Sequence, residues 1–233
     1  MADNYLEKRF AQYEARKAAG VKPRRHTSGA QPAVALRTKH RIILASQSPR
    51  RRELLRGLGI SFDVRVIPDI DESYPDGLAP QEVPLHIAHA KARAYLDTLA
   101  ADELLIAADT VVIIDGEILG KPHDRDAAIG MLGRLSGRRH TVVTGVVLAT
   151  TEGAVSSFSV ASTVDFAPLS EAEITTYIDH CRPFDKAGAY GIQEWIGFVG
   201  VRGIEGSFYN VMGLPVGRLY EELRRMGEIV EGI

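Results

Sequence analysis

The run Ser46-Gln47-Ser48-Pro49-Arg50-Arg51-Arg52 links a short apolar stretch to a segment whose pattern predicts a helix. The first turn of a helix exposes unpaired backbone N–H groups and carries about half a positive charge, so it draws anions. Arginine adds planar donor forks that match phosphate oxygens. Three consecutive arginines cannot all face one ligand from a helix, although one or two can. No glycine-rich cradle ending in Lys-Ser/Thr is present, so the run is not a P-loop. A solvated basic helix start fits the same residues. Farther along, Ala107-Ala108-Asp109-Thr110-Val111-Val112 sets an acid inside an apolar stretch. A carboxylate there needs a hydrogen-bond partner, a counter-charge or a metal. The small alanines leave room for a bulky group to approach Asp109; the plain alternative is a structural carboxylate that caps a turn.

Asp69, Asp71 and Glu72 form an acidic group on a loop. Such carboxylates can hold Mg²⁺ or Mn²⁺, which take oxygen ligands and share them with phosphates, or they can simply face water. Lys91, among Ala88, Ala90, Ala92 and Ala94, and Lys121, between Gly120 and Pro122, are candidate phosphate partners. Either alone reads as a surface lysine. His140 has no second histidine at ligand spacing and reads as a structural polar residue rather than a metal ligand. In Asp185-Lys186-Ala187-Gly188-Ala189-Tyr190-Gly191-Ile192-Gln193, the glycines permit positive φ or close backbone approach. The Gln193 amide pairs a donor with an acceptor and suits a base edge; a tight turn would use the same glycines.

The elements that must position these residues alternate between strand and helix. Arg41 to Ala45 predicts a strand, and Ser48-Pro49 an N-cap and first position of a helix closed by Gly57 and Gly59. Phe62 to Ile67 predicts a strand, and Leu85, Ala88, Ala92 and Leu96 one face of a longer helix. Leu104 to Ile114 reads as a buried strand turning at Asp115-Gly116 into Glu117 to Leu119. A helix over Asp124 to Leu135 is stopped by Gly137. Thr141 to Thr150 and Val155 to Phe166 pair around Glu152-Gly153. Ser170 with Glu173 forms a capping box for a helix carrying Ile174, Tyr177 and Ile178. A strand near Phe198 to Arg202 and a helix over Leu214 to Met226 complete the chain. Interleaved helices and hairpins predict an α/β fold with a mixed twisted sheet flanked by helices.

Residues 1–40 read as an extension: Leu6, Phe10 and Tyr13 fall at helical spacing, and Gly20 to His40 is a basic linker. Residues 41–233 then form the catalytic unit. The formal net charge of −2 gives no bulk attraction to nucleic acid or to a membrane, so any anion site is local. One cysteine, Cys181, requires no oxidising compartment. No secretory pattern opens the chain, and no run reaches the ~18 apolar residues of a membrane span. The expectation is a soluble, cytoplasmic protein without stable nucleic-acid or membrane binding.

In order, Leu44-Ala45-Ser46-Gln47-Ser48-Pro49-Arg50-Arg51, Asp71-Glu72, Lys91-Ala92, Ala108-Asp109-Thr110-Val111-Val112, Gly120-Lys121-Pro122, Leu135-Ser136-Gly137 with His140 and Thr144, Asp185 through Gln193, Gly206-Ser207 and Gly213-Leu214-Pro215 resemble the Maf family of nucleotide pyrophosphatases. The family is also named for inhibition of septum formation. The resemblance implies an inosine-triphosphatase-like architecture with two lobes around a cleft. It also implies hydrolysis between the α- and β-phosphates with a divalent metal. It makes Asp109 the proton acceptor and a metal ligand together with Glu72. Arg50, Thr110 and Gln193 match positions tied to substrate choice, and Ser46, Arg51, Lys91 and Lys121 positions tied to phosphate. Ser-Pro-Arg-Arg and Gly-Ile-Gln resemble the branch acting on dTTP and UTP; the 7-methyl-GTP branch tends to carry an aromatic residue at the Arg50 position. Glu194-Trp195 follow Gln193 where glycine is common. The expected partner is a nucleoside triphosphate, and the reading leaves room for a homodimer. The competing function is a regulator of septum formation that binds nucleotide without hydrolysing it.

Overall fold

The computed structural model describes residues 34–230, so the helical spacing of Leu6, Phe10 and Tyr13 lies outside the described residues. The elements are β1 (Arg37–Thr38), β2 (Arg41–Ala45), α1 (Pro49–Gly57), β3 (Phe62–Val64), α2 (Val83–Tyr95), β4 (Glu103–Ile114), β5 (Glu117–Leu119), α3 (Arg125–Leu135), β6 (Arg139–Thr150), β7 (Gly153–Phe166), α4 (Glu171–Cys181), α5 (Trp195–Gly200), β8 (Val201–Glu205), α6 (Phe208–Met212), α7 (Val216–Arg225) and β9 (Ile229–Val230). Local signals account for several boundaries. The Ser48 hydroxyl accepts from the Arg51 backbone N–H, with Pro49 inside the first turn. Asp124 caps α3 through the Ala127 backbone N–H at 2.7 Å. Ser170 and Glu173 form both bonds of a capping box on α4.

The main sheet runs β3-β2-β4-β6-β7-β8, with β5 also on β4. β2 is parallel to both its neighbours, and the remaining pairs are antiparallel. The sheet is therefore mixed, as expected for hairpins interleaved with helices. The register along β4 opens the functional cleft. β2 covers Glu103 to Ala107 and β5 covers Val112 to Ile114, while β6 pairs continuously along the other edge. Residues 108–111 therefore lie on an edge where neither strand pairs with them. The gap stands at the carboxyl end of β2, where ligands of open α/β sheets bind.

Alternation then assigns the faces of β4. Leu104, Ile106, Ala108, Val112 and Ile114 join the larger core, with α1, α3, α4 and α7 contributing Leu55, Leu132, Tyr177 and Leu219. Leu105 and Ala107 pack with Ala88, Ala92 and Tyr95 of α2, and Val111 and Ile113 with Val83 and Ile87 of the same helix. Asp109 belongs to the α2 face and Thr110 to the opposite one.

Three expectations are corrected. The strand after Gly59 ends at Val64, where Arg65 turns its backbone N–H onto the Leu44 carbonyl. Phe198 to Gly200 is helical, and the strand begins at Val201. The last helix starts at Val216, and a separate short helix, α6, precedes it. The end of the stretch read as linker is tied to the body: β1 pairs with β9, and Leu36 bridges Ile60. No helix among the described residues is long and apolar enough to cross a membrane.

Candidate active site

A cavity of about 760 Å³ occupies the gap beside β4 and receives every residue to which the family resemblance gives a role: Ser46, Arg50, Arg51, Glu72, Lys91, Asp109, Thr110, Lys121 and Gln193. On one face, Lys91 lies on the stripe of α2 that carries Ile87 and Tyr95, four residues to either side, and so points at the sheet. Its ammonium reaches Asp109 Oδ1 at 2.7 Å and Glu72 Oε1, from the loop before α2, at 2.9 Å. Two carboxylates from distant parts of the chain thus share one cation. Gly145, opposite Asp109 in the β4–β6 register, permits this closeness. A Cβ there would fall 2.4 Å from the Leu85 backbone, so only glycine lets α2 settle this low on the sheet. Sequence reading missed Gly145, because nothing local marks which element approaches it.

On the other face, Arg51 in the first turn of α1 donates from Nε to the Gly213 carbonyl at 2.8 Å and from Nη2 to Thr110 Oγ1 at 3.0 Å. Both acceptors are neutral. Burial, the largest influence, pulls the guanidinium below its ordinary pKa, while Asp109 and Glu72 oppose this shift. Thr110 is held by Thr144 Oγ1 at 2.9 Å, and Thr144 in turn donates to the Asn210 carbonyl at 3.1 Å. Ser46, buried at the end of β2, accepts from the Ser48 backbone N–H at 3.1 Å, which shapes the turn into α1.

The far wall comes from residues 185–193. The Gly188 backbone N–H bonds the Gly120 carbonyl at 3.0 Å, which ties this segment to the loop carrying the exposed Lys121. Arg50 Nη1 donates to Asp185 Oδ2 at 3.0 Å. Gln193 Oε1 is buried and has no hydrogen-bond partner among the described residues, an acceptor without a donor. Asp69 borders the cavity, but Asp71 turns into a shallower groove and accepts from the Ser73 backbone N–H at 2.9 Å. That bond holds the Asp71 carboxyl below its ordinary pKa. His140 lies outside the cavity, 3% exposed, with Nε2 2.8 Å from the Tyr190 hydroxyl. Its Nδ1 has no partner among the described residues.

Among the described residues no group of three or more His, Cys, Asp or Glu side chains gathers to hold a metal. Glu72 and Asp109 alone still fit a hard cation, because both already contact one positive centre, Lys91 Nζ. Mg²⁺ is commonly held by one or two carboxylates, with water and phosphate oxygens filling the remaining positions.

The sequence is similar to that of two proteins named dTTP/UTP pyrophosphatase. The one from Phocaeicola vulgatus is 59% identical over 188 residues, which is 81% of this chain and 97% of the relative. The one from Bacteroides thetaiotaomicron is 56% identical over the same shares of the two chains. A solved nucleoside-triphosphatase/dITP/XTP pyrophosphatase from Mycobacterium abscessus covers 80% of this chain and 95% of its own, with a TM-score of 0.40 and 19% identity. The family described as Maf-like protein matches residues 41–226, a span that contains every cavity residue named above. With most of its length matched and its relatives so similar, the chain belongs to the Maf-like protein family.

Proposed function

We propose that the protein is a nucleoside triphosphate pyrophosphatase that hydrolyses dTTP and UTP to the monophosphate and pyrophosphate. The observation that carries this reading is Arg51. Its guanidinium borders the cavity and, among the described residues, hydrogen-bonds only neutral oxygens and pairs with no carboxylate, so a polyanion entering there would meet an unpaired cation. The relatives' names support the choice of reaction and of pyrimidine bases.

In this reading Ser46, Arg51, Lys91 and Lys121 bind phosphate oxygens. Asp109 accepts a proton from the water that attacks the α-phosphorus, and the bond from that phosphorus to the bridging oxygen breaks to release pyrophosphate. Glu72 and Asp109 would hold Mg²⁺ or Mn²⁺, which would neutralise charge on the phosphates. Arg50, Thr110 and Gln193 select the base. Gln193 lines the cavity, and its amide pairs a donor with an acceptor as the edge of uracil or thymine does. The catalytic unit is residues 41–233, with 1–40 as an extension whose end, Arg37–Thr38, pairs with Ile229–Val230 of that unit. The enzyme is cytoplasmic, where its single thiol needs no oxidising partner.

A panel of nucleoside triphosphates with Mg²⁺ or Mn²⁺, read as pyrophosphate against orthophosphate, tests the reading. Fastest turnover of dTTP and UTP with pyrophosphate as product is expected. Orthophosphate as the main product would mean that the wrong bond was assigned. Triphosphate bound and recovered intact would favour the non-hydrolysing regulator.

A further inference from the structure

Between the core and the cavity, four charged side chains and one phenol form an unbroken chain. The Tyr177 hydroxyl donates to Glu194 Oε2 and accepts from the Gly191 backbone N–H at 3.0 Å. Glu194 Oε1 lies 3.0 Å from Lys186 Nζ. Lys186 Nζ also donates to Asp185 Oδ1 at 2.7 Å, and Asp185 Oδ2 accepts from Arg50 Nη1 at 3.0 Å. Tyr177 is 1% exposed and Lys186 6%, and Lys186, Asp185 and Arg50 border the cavity. The chain therefore runs from the core to the ligand side, and neither Glu194 nor Tyr177 lines the cavity.

An exposed arginine–aspartate pair has loose geometry and contributes little by itself. Here the aspartate is clamped. A buried ammonium is tolerated only when paired and hydrogen-bonded, so Lys186 needs both of its carboxylates. With Glu194 fixed behind it, Lys186 holds Asp185 in one orientation, and Asp185 in turn holds Arg50. Burial disfavours the charged form of Asp185, yet the bonds from Lys186 and Arg50 outweigh it and keep its carboxyl below the ordinary pKa. Burial and then Glu194 push the Tyr177 phenol above its ordinary pKa, so it remains a donor. The backbone is fitted to the pair as well. A Cβ on Gly191 would fall 2.8 Å from Glu194 Cδ and 3.0 Å from Lys186 Cε.

We propose that Glu194 is a positioning residue for Arg50: acting through Lys186 and Asp185, it fixes the guanidinium that meets the nucleotide. The inference rests on the reading of the cavity as a nucleoside triphosphate site. It is tested by a double-mutant cycle with Glu194→Ala and Arg50→Ala, measuring kcat and KM for dTTP with Mg²⁺ alongside thermal melting. Glu194→Ala raises KM about tenfold, the loss expected for one charge-assisted hydrogen bond. It leaves kcat within about threefold, because Asp109 and Lys91 are not touched. In the Arg50→Ala background the same substitution changes KM by less than about twofold. Glu194→Gln has one amide oxygen where Tyr177 and Lys186 each use their own carboxylate oxygen, so it keeps one of the two contacts and raises KM by about threefold.

A wild-type KM in Glu194→Ala, or an equal further loss in the Arg50→Ala background, overturns the inference. Should Glu194→Ala fail to fold, Glu194→Gln carries the cycle: a KM rise of about threefold that persists unchanged without Arg50 overturns it equally. Wild-type protein that turns over no triphosphate overturns the reading of the cavity and this inference with it. Turnover by wild type with uncoupled variants overturns the inference alone.

Discussion

Asp109 and Thr110 are neighbours in sequence but project to opposite faces of one strand, so the cavity must wrap around the exposed edge of that strand to touch both. This division separates the proposed roles: the proton acceptor lies beside Lys91 and Glu72, and the selectivity residue lies beside Arg51. Asp109→Asn keeps the shape of the side chain and removes its basicity. Turnover of dTTP is expected to fall by ~10²–10⁴, the usual contribution of a general base, with nucleotide affinity within a few-fold. Near-wild-type kcat in a correctly folded Asn variant would remove Asp109 from the proton-accepting role. At this scale the site was largely legible, because an acid inside an apolar strand has to be answered by something. Tyr177 and Glu194 were not. Tyr177 reads as an ordinary core residue of an amphipathic helix, and its partner Glu194 lies a loop and a 3-10 turn away in the chain. Hydrogen bonds between such positions leave no local pattern.

Elements whose ends are set by neighbouring residues were legible: the Ser48-Pro49 start of α1, the Ser170-Glu173 box of α4 and the Asp115-Gly116 turn. Elements decided by tertiary approach were not. Phe198-Val199 reads as strand, yet Gly197 seats so close over the Ile192 carbonyl that a Cβ would lie 1.8 Å from its oxygen, and the segment coils into α5. The pairing of β1 with β9 joins the two ends of the described chain and has no sequence signal at all. Gly145 is the position where such an approach bears on catalysis. A methyl group there meets the α2 backbone rather than a side chain that could swing away, so Gly145→Ala should cost about 2–3 kcal/mol, the upper range for overpacking. Urea unfolding should show a lower midpoint with an unchanged slope. Turnover should fall too, because lifting α2 draws Lys91 away from Asp109. An alanine variant with the parental midpoint would show that α2 does not rest on this glycine.

At the scale of the fold, one hydrophobic cluster lies on one face of the sheet and two smaller ones on the α2 face, and His140 sits on the side of the larger cluster with its ring edge-on to Phe166 and Tyr190. Burial pulls its pKa from 6.5 down to about 4. In the unfolded chain the imidazole gains its proton as the pH falls through 6.5, while in the folded protein it stays neutral until about 4. Between those values the unfolded state binds more protons, so stability declines as the solution is acidified and levels off below the lower value. At about 1.4 kcal/mol for each unit, the window from 6.5 to about 4 is worth roughly 3 kcal/mol. His140→Leu cannot take up the proton in either state. It forfeits the bond to the Tyr190 hydroxyl, but that loss is the same at every pH in this range, because the phenol stays neutral. Denaturant unfolding of both proteins at intervals from pH 7 to pH 4 separates the two effects. The curves should differ by a constant above pH 6.5 and converge by roughly 3 kcal/mol on the way to pH 4. Parallel curves throughout would mean that the imidazole is protonated inside the fold, and the packing of β6 against the wall of the cavity would then have to accommodate a charge.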